Sequence, residues 1–221
     1  SEHTFIDYYV NNYSKFLSET AGVKSPNNDG IINFLNTSNN FLETSSLLRP
    51  ILISFLSNSN KASLNVETDK LLKTVNIETP RGQTVLSELI DIFDVYSLKD
   101  LKTKYLAEAK ALKCTINERL SGTIKSNDNT AIGAVIPNYK FLSPLNTKAK
   151  SLHEVKADKK VLIFWASTCP HCEKEIGEMI TKYAELKSKN IEVVGFSLDT
   201  DKTAYADKVK LLPWINDTEL K

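Results

Sequence analysis

At 221 residues and 41% hydrophobic content, the chain can bury one large core or two modest ones. Its 28 basic and 27 acidic residues leave a net charge of +1, which gives no electrostatic case for a nucleic-acid partner. The longest apolar stretch, Leu47 to Leu56, is broken by Arg49, Pro50 and Ser54 and falls short of the roughly 20 residues a bilayer span requires. From Thr4 to Thr20, Phe5, Tyr8, Tyr9, Tyr13, Phe16 and Leu17 recur at spacings of three and four, which predicts an amphipathic helix stopped near Gly22. The Asn-rich stretches SPNNDG and NTSNN bracket a shorter helical piece with Ile31, Ile32, Phe34 and Leu35. SLLRPILISFLSN continues helically, with Pro50 near a helix start or at a kink. Thr79-Pro80 places a capping residue before a proline at the first helical position, ahead of Val85, Leu86, Leu89, Ile90 and Phe93. Ser97 and Asp100 open a further helix whose stripe is Leu101, Tyr105, Ala109, Leu112, Ile116 and Leu120, with Cys114 on a different side. The turn formers SGTIKSNDN, residues 121–129, read as a linker.

Beyond the linker the period changes. Val161 to Trp165 reads as a buried strand, Cys172 to Lys189 as a helix, Ile191 to Leu198 as a second strand and Thr203 to Lys210 as another helix. Strand, helix and strand at this spacing imply a right-handed crossover and a parallel pair. The run KKVLIFWAS is apolar on both faces, which predicts a place in the middle of the sheet.

Directly after that run, WASTCPHCEKE sets two of the three cysteines three positions apart. Three cysteines cannot build a structural framework of disulfides, so a cystine here is expected to be chemical. Pro170 fits the first turn of the following helix, which puts Cys169 at the helix N-terminus. Unpaired N–H groups and the positive end of the helix dipole favour a thiolate there. Cys169 is therefore the expected attacking sulfur. Cys172, almost one turn along, is the resolving one. His171 can add a cation beside them. Half of a zinc site would look the same, but Cys114, His3 and His153 stand at irregular distances and no second pair exists. In peroxiredoxins the reactive cysteine follows a threonine or serine by three residues and a proline by seven; Ala166 and Leu162 hold those places here. Copper delivery lacks a histidine after His171 to complete a site.

FWASTCPHCEKEI, residues 164–176, resembles the active-site segment of the TlpA/ResA-like thiol-disulfide oxidoreductases of the thioredoxin superfamily. AIGAVIPNYKFLSP, residues 131–144, resembles the family's opening segment, which precedes a small hairpin, and VVGFSLDTD, residues 193–201, the strand and turn after the first helix. The resemblance implies an α/β thioredoxin-like fold over 127–221, truncated at its C-terminus, preceded by an all-α helical domain over 1–126. It matches Cys169 to the nucleophile and Cys172 to the resolving cysteine. Trp165 matches a tryptophan near the disulfide that shapes the substrate surface. Glu175 matches an acid that handles the proton of the resolving thiol, and its i to i+3 spacing puts it on the face of Cys172. Pro170-His171 resembles the dipeptide of oxidising DsbA-type enzymes, which leaves the direction of electron flow open. No cofactor and no metal are implied. The expected partners are protein thiols and disulfides plus a second redox protein, in the periplasm or cell envelope. The opening SEHTFIDYYV has no signal-peptide pattern, so on the residues alone either the chain is cytosolic or its targeting segment or anchor is missing from this sequence. The rival reading is a partner-binding protein with a vestigial thioredoxin-like domain.

Overall fold

Capping chemistry and apolar spacing together divide the first part of the chain into helices. A computed structural model describes residues 4–17 and 27–220, and the chain forms two compact units, Ser1–Val135 and Ile136–Lys221. In the first unit, Thr4 caps α1 (Phe5–Phe16) by accepting from the Asp7 N–H at 3.1 Å, and Tyr8, Asn12 and Phe16 turn into the core at intervals of four. His3 and the predicted stop at Gly22 lie outside the described residues. Asn27 caps α2 (Asn28–Thr37) in the same manner, and the single turn α3 (Phe41–Thr44) follows. Pro50 lies in the first turn of α4 (Leu48–Asn58), where its missing N–H leaves no bond unmade.

Next comes α5 (Leu64–Val75), which the apolar pattern did not reveal because Thr68 stands in its buried row with Leu71, Leu72 and Val75. Thr79 caps α6 (Pro80–Val95), its hydroxyl accepting from the Gly82 N–H at 3.1 Å. This helix is the hub. Leu86, Leu89, Ile90 and Phe93 are fully buried on it, and each such side chain contributes about 1.5–3 kcal/mol. Packed around it are α4, α5, α7 (Lys99–Ala111) and α8 (Glu118–Thr130). Even its one buried carboxylate is paired: Glu88 accepts from Arg49 at 2.6 Å and from Arg119, which ties α4 and α8 to α6. Both arginines are partly exposed, so the triad orients the helices more than it stabilises them.

Three expectations fail in this unit. The stretch 121–129, read as a linker, is helical in α8: the Asn117 side chain caps it by accepting from the Leu120 N–H at 2.9 Å, Leu120 and Thr123 are buried, and Thr123 pairs with Ser87 at 2.8 Å. Tertiary burial thus overrides the turn-forming composition. The two units divide further along, after Val135, and not within that stretch. The stripe from Leu101 to Leu120 belongs to two helices, since α7 ends at Ala111, and Ser97 does not cap it but adopts a left-handed conformation with φ 57°. Cys114 therefore sits between helices, a half-buried free thiol whose sulfur accepts from Gln83 Nε2 at 3.4 Å.

The second unit is built on a parallel sheet in the order β1 (Lys159–Trp165), β2 (Ile191–Ser197), β3 (Ile215–Thr218). Val161 pairs with Val193 and Trp165 with Ser197, while Val194 pairs with Ile215. Alternation then sends Val161, Ile163, Trp165 and Val193 to one face, where they pack with residues of α9 (Pro170–Ser188) and α10 (Lys202–Val209). Leu162, Val194, Phe196 and Ile215 go to the other, under Leu152, Val155, Tyr139 and Phe141. Among the described residues β2, not β1, is the central strand, and Phe164 of β1 is 64% exposed. An apolar run on both faces reports what lies above and below a strand; it does not report how many strands flank it.

β3 has the sequence INDT, too polar to read as a strand, yet all four residues are buried. The segment that precedes β1 pairs with Asp217 and with the stretch leading into β3. Asp217 accepts from the Leu142 and Ser143 N–H groups at 2.9 and 2.7 Å, and Asn146 donates to the carbonyls of Leu212 and Trp214. The expected small hairpin is an antiparallel bridge between Lys140 and Ser151. No helix among the described residues is long and apolar enough to cross a membrane.

Candidate active site at the turn from β1 into α9

β1 ends at Trp165, and the chain reverses in a tight turn in which the Cys169 N–H donates to the Ala166 carbonyl at 3.1 Å. Cys169 is the N-cap of α9, with extended backbone. Its Sγ accepts the N–H of Cys172 at 3.2 Å, the bond a capping oxygen would make. Pro170 fills the first helical position and stands exposed, so the helix start carries no wasted donor. Cys169 and Cys172 form a disulfide across a Cα–Cα separation of 5.2 Å. The molecule is thus described in its oxidised form.

Around Cys172 the predicted residues gather unequally. Trp165, His171, Cys172 and Glu175 line one cavity of about 290 Å³ with Ile163, Phe164, Ile176 and Met179. Glu175 is exposed at its rim, on the same face as Cys172, as the i to i+3 spacing requires. His171 is likewise exposed. Cys169 and Pro170 do not line this cavity. Cys172 packs on the apolar cluster beneath the helix, whereas Cys169 holds the turn itself. Trp165 is 3% exposed, with its ring 6.0 Å from that of Tyr205, so most of it is core. Among the described residues, no group of three or more His, Cys, Asp or Glu side chains could hold a metal ion.

The residue that sequence reasoning missed is Asp199, just past β2. Its Oδ1 accepts from both the N–H and the hydroxyl of Ser167, at 2.9 and 2.7 Å, and its Oδ2 accepts from Ser197 Oγ at 2.7 Å. Burial opposes the charge, but the bonds from Ser167 and Ser197 outweigh it and hold the carboxyl below the usual carboxylate range. The sequence signal was Ser197-x-Asp199 at a strand end, opposite a second serine in the turn. On the helix, Glu173 pairs with Lys208 of α10 at 2.6 Å, and that cation lowers its carboxyl. Tyr205, near the same end of the sheet, is pushed up to about 12 by burial and by the charges of Asp217 and Asp199.

Residues 132–221 match the AhpC/TSA family. Over 87 residues the chain is 32% identical to the proteins named thiol-disulfide oxidoreductase ResA from Bacillus cereus and Bacillus anthracis, covering 39% of this chain and 49% of each of those. The chain spans about half the length of these curated relatives. The crystal structure of a thioredoxin-like protein from Bacteroides caccae ATCC 43185 superposes with a TM-score of 0.46 and 15% identity, over 93% of this chain and 82% of that one. The family match falls on the unit that carries the Cys169–Cys172 pair, and that unit is similar to domains of the AhpC/TSA family.

Proposed function

We propose that the chain is a thiol-disulfide oxidoreductase that exchanges electrons with the cysteines of other proteins through Cys169 and Cys172. The observation that carries this reading is a redox-capable pair whose first sulfur caps a helix, in a domain similar to proteins named for that chemistry. Starting from the dithiol, the Cys169 thiolate attacks one sulfur of a substrate disulfide; an S–S bond forms to Cys169 and the other substrate sulfur leaves as a thiolate. Cys172, deprotonated, then attacks Cys169, and the second substrate sulfur leaves. Two electrons and two protons pass to the substrate, and the Cys169–Cys172 disulfide is regenerated. Run in reverse, the same steps oxidise a substrate dithiol.

Magnitudes say which step the helix terminus serves. Lowering a thiol by about two pH units raises its ionised fraction at neutral pH about 25-fold, but costs about eightfold in nucleophilicity, for a net gain of about threefold in attack. The larger benefit falls on the reverse direction, where the second substrate thiolate attacks the substrate sulfur of the mixed disulfide, Cys169 is the leaving sulfur and a weaker base leaves faster. In this reading Glu175, at the rim of the Cys172 cavity, takes the proton of the resolving thiol, and Trp165 with His171 borders the surface that substrate meets. Pro170 keeps the capping geometry of Cys169. Partner proteins of the cell envelope, including a redox protein that recharges the pair, follow from the resemblance to ResA-type proteins, as does a location there.

The test is turnover: the full chain with a dithiol reductant in excess should accelerate reduction of a model protein disulfide, and the pair should titrate as one two-electron couple. An inert pair would support the rival reading, in which the domain only binds a partner.

A further inference from the structure

We infer that Asp199 is a positioning residue for this site, holding through Ser167 the turn that presents Cys169. The inference rests on the exchange reading above. Asp199 is 6% exposed, and both of its carboxylate oxygens are engaged: Oδ1 by two bonds from Ser167, Oδ2 by one from Ser197 Oγ, while its own N–H donates to Ser197 Oγ at 3.0 Å. Alongside it, the Leu198 N–H donates to the Trp165 carbonyl at 2.8 Å. The ends of β1 and β2 are therefore clamped at two neighbouring points. Ser167 is two residues from Cys169, so the peptide planes that aim the sulfur start from a backbone N–H fixed on Asp199.

Charge alone argues against such a residue. A buried anion beside the turn disfavours a thiolate; the other titratable groups near it are His171, Glu175 and the Glu173–Lys208 pair on α9 and α10, and Tyr205, which feels the charge of Asp199. A carboxylate in this place is explained by geometry: it is a rigid acceptor that can take two bonds from one serine and a third from another. Loss of the clamp would let the turn drift from the helix axis and weaken the Cys172 N–H contact to the Cys169 sulfur. Drift of about 1 Å at a reacting group costs up to about a hundredfold in rate.

Two variants of the full chain separate clamp from charge, each carrying Cys114→Ser and Cys172→Ser so that only Cys169 reports. Asp199→Asn keeps the acceptor and removes the charge; Asp199→Ala removes both. Asp199→Ala should slow reaction of Cys169 with a small aromatic disulfide about tenfold and raise the pH at which Cys169 ionises, while Asp199→Asn stays within about threefold and does not raise it. Both variants lowering that pH together would show charge without clamping and overturn the assignment, as would an Asp199→Ala rate within about twofold of the parent. Should Asp199→Ala not fold, Ser167→Ala, which deletes only the hydroxyl bond, is read in its place: a rate about threefold slower supports the clamp, and an unchanged rate overturns it. If the parent Cys169 reacts no faster than free cysteine, the exchange reading has failed; the Asp199 assignment is then still decided by the direction in which the titration moves.

Discussion

Cys169→Ser should reduce protein-disulfide turnover at least about a thousandfold, because the variant removes the nucleophile itself and a serine hydroxyl does not ionise near neutral pH. The fold should survive. Serine is among the better N-caps, and its Oγ can accept the Cys172 N–H that Cys169 Sγ accepts at 3.2 Å. What the variant also loses is the disulfide, which by the chain-entropy account is worth about 2 kcal/mol for so short a loop. Relative to the oxidised parent, turnover and resistance to unfolding should therefore fall together in Cys169→Ser, whereas only turnover separates it from the reduced parent. Residual turnover within about tenfold of the parent would mean that another thiol carries the chemistry. The thiols left in that variant are Cys172, freed from the disulfide, and Cys114, half-buried beside Gln83 in the helical unit.

Cys172→Ser should act differently, by arresting the cycle after its first step. With the resolving sulfur absent, Cys169 still attacks, and the substrate remains attached through a mixed disulfide that a non-reducing gel resolves. Accumulation should approach one adduct per chain, and a reductant should release it. This division follows from placement: Cys169 lies in the turn as the helix cap, whereas Cys172 packs on the apolar cluster under α9. Adducts through Cys114 would overturn the assigned roles, and equal trapping by Cys169→Ser and Cys172→Ser would show that the helix terminus does not choose between the sulfurs.

Much of the site was legible because its logic is local. A proline after a cysteine, an apolar run before it and helical spacing after it fix a cap, a strand and a crossover within some thirty residues, and the structure places α9 and β2 close to where that pattern put them. Glu175 falls on the Cys172 face for the same local reason. What escaped was set by distant partners. Asp199 is separated from Ser167 by a whole helix and strand, so no short window of sequence contains both. β3 reads as a polar loop because the Asp217 carboxylate and the Asn216 backbone pair with the backbone of residues 142–145, far upstream. In the helical unit, α8 was hidden by Gly122, Ser126 and three Asn or Asp residues, compositions that form turns unless burial of Leu120 and Thr123 decides otherwise.

The proposed exchange depends on one electrostatic property, the ionisation of Cys169 at the start of α9. A folded value below that of the unfolded chain also carries a linkage: it stabilises the reduced protein at pH above about 8.5, and that stabilisation is lost as pH falls through the folded value. The direct measurement is thiolate absorbance of the reduced Cys114→Ser, Cys172→Ser chain as a function of pH. We expect a single midpoint at least about one unit below the roughly 8.5 of free cysteine; a midpoint at or above that value would contradict the mechanism.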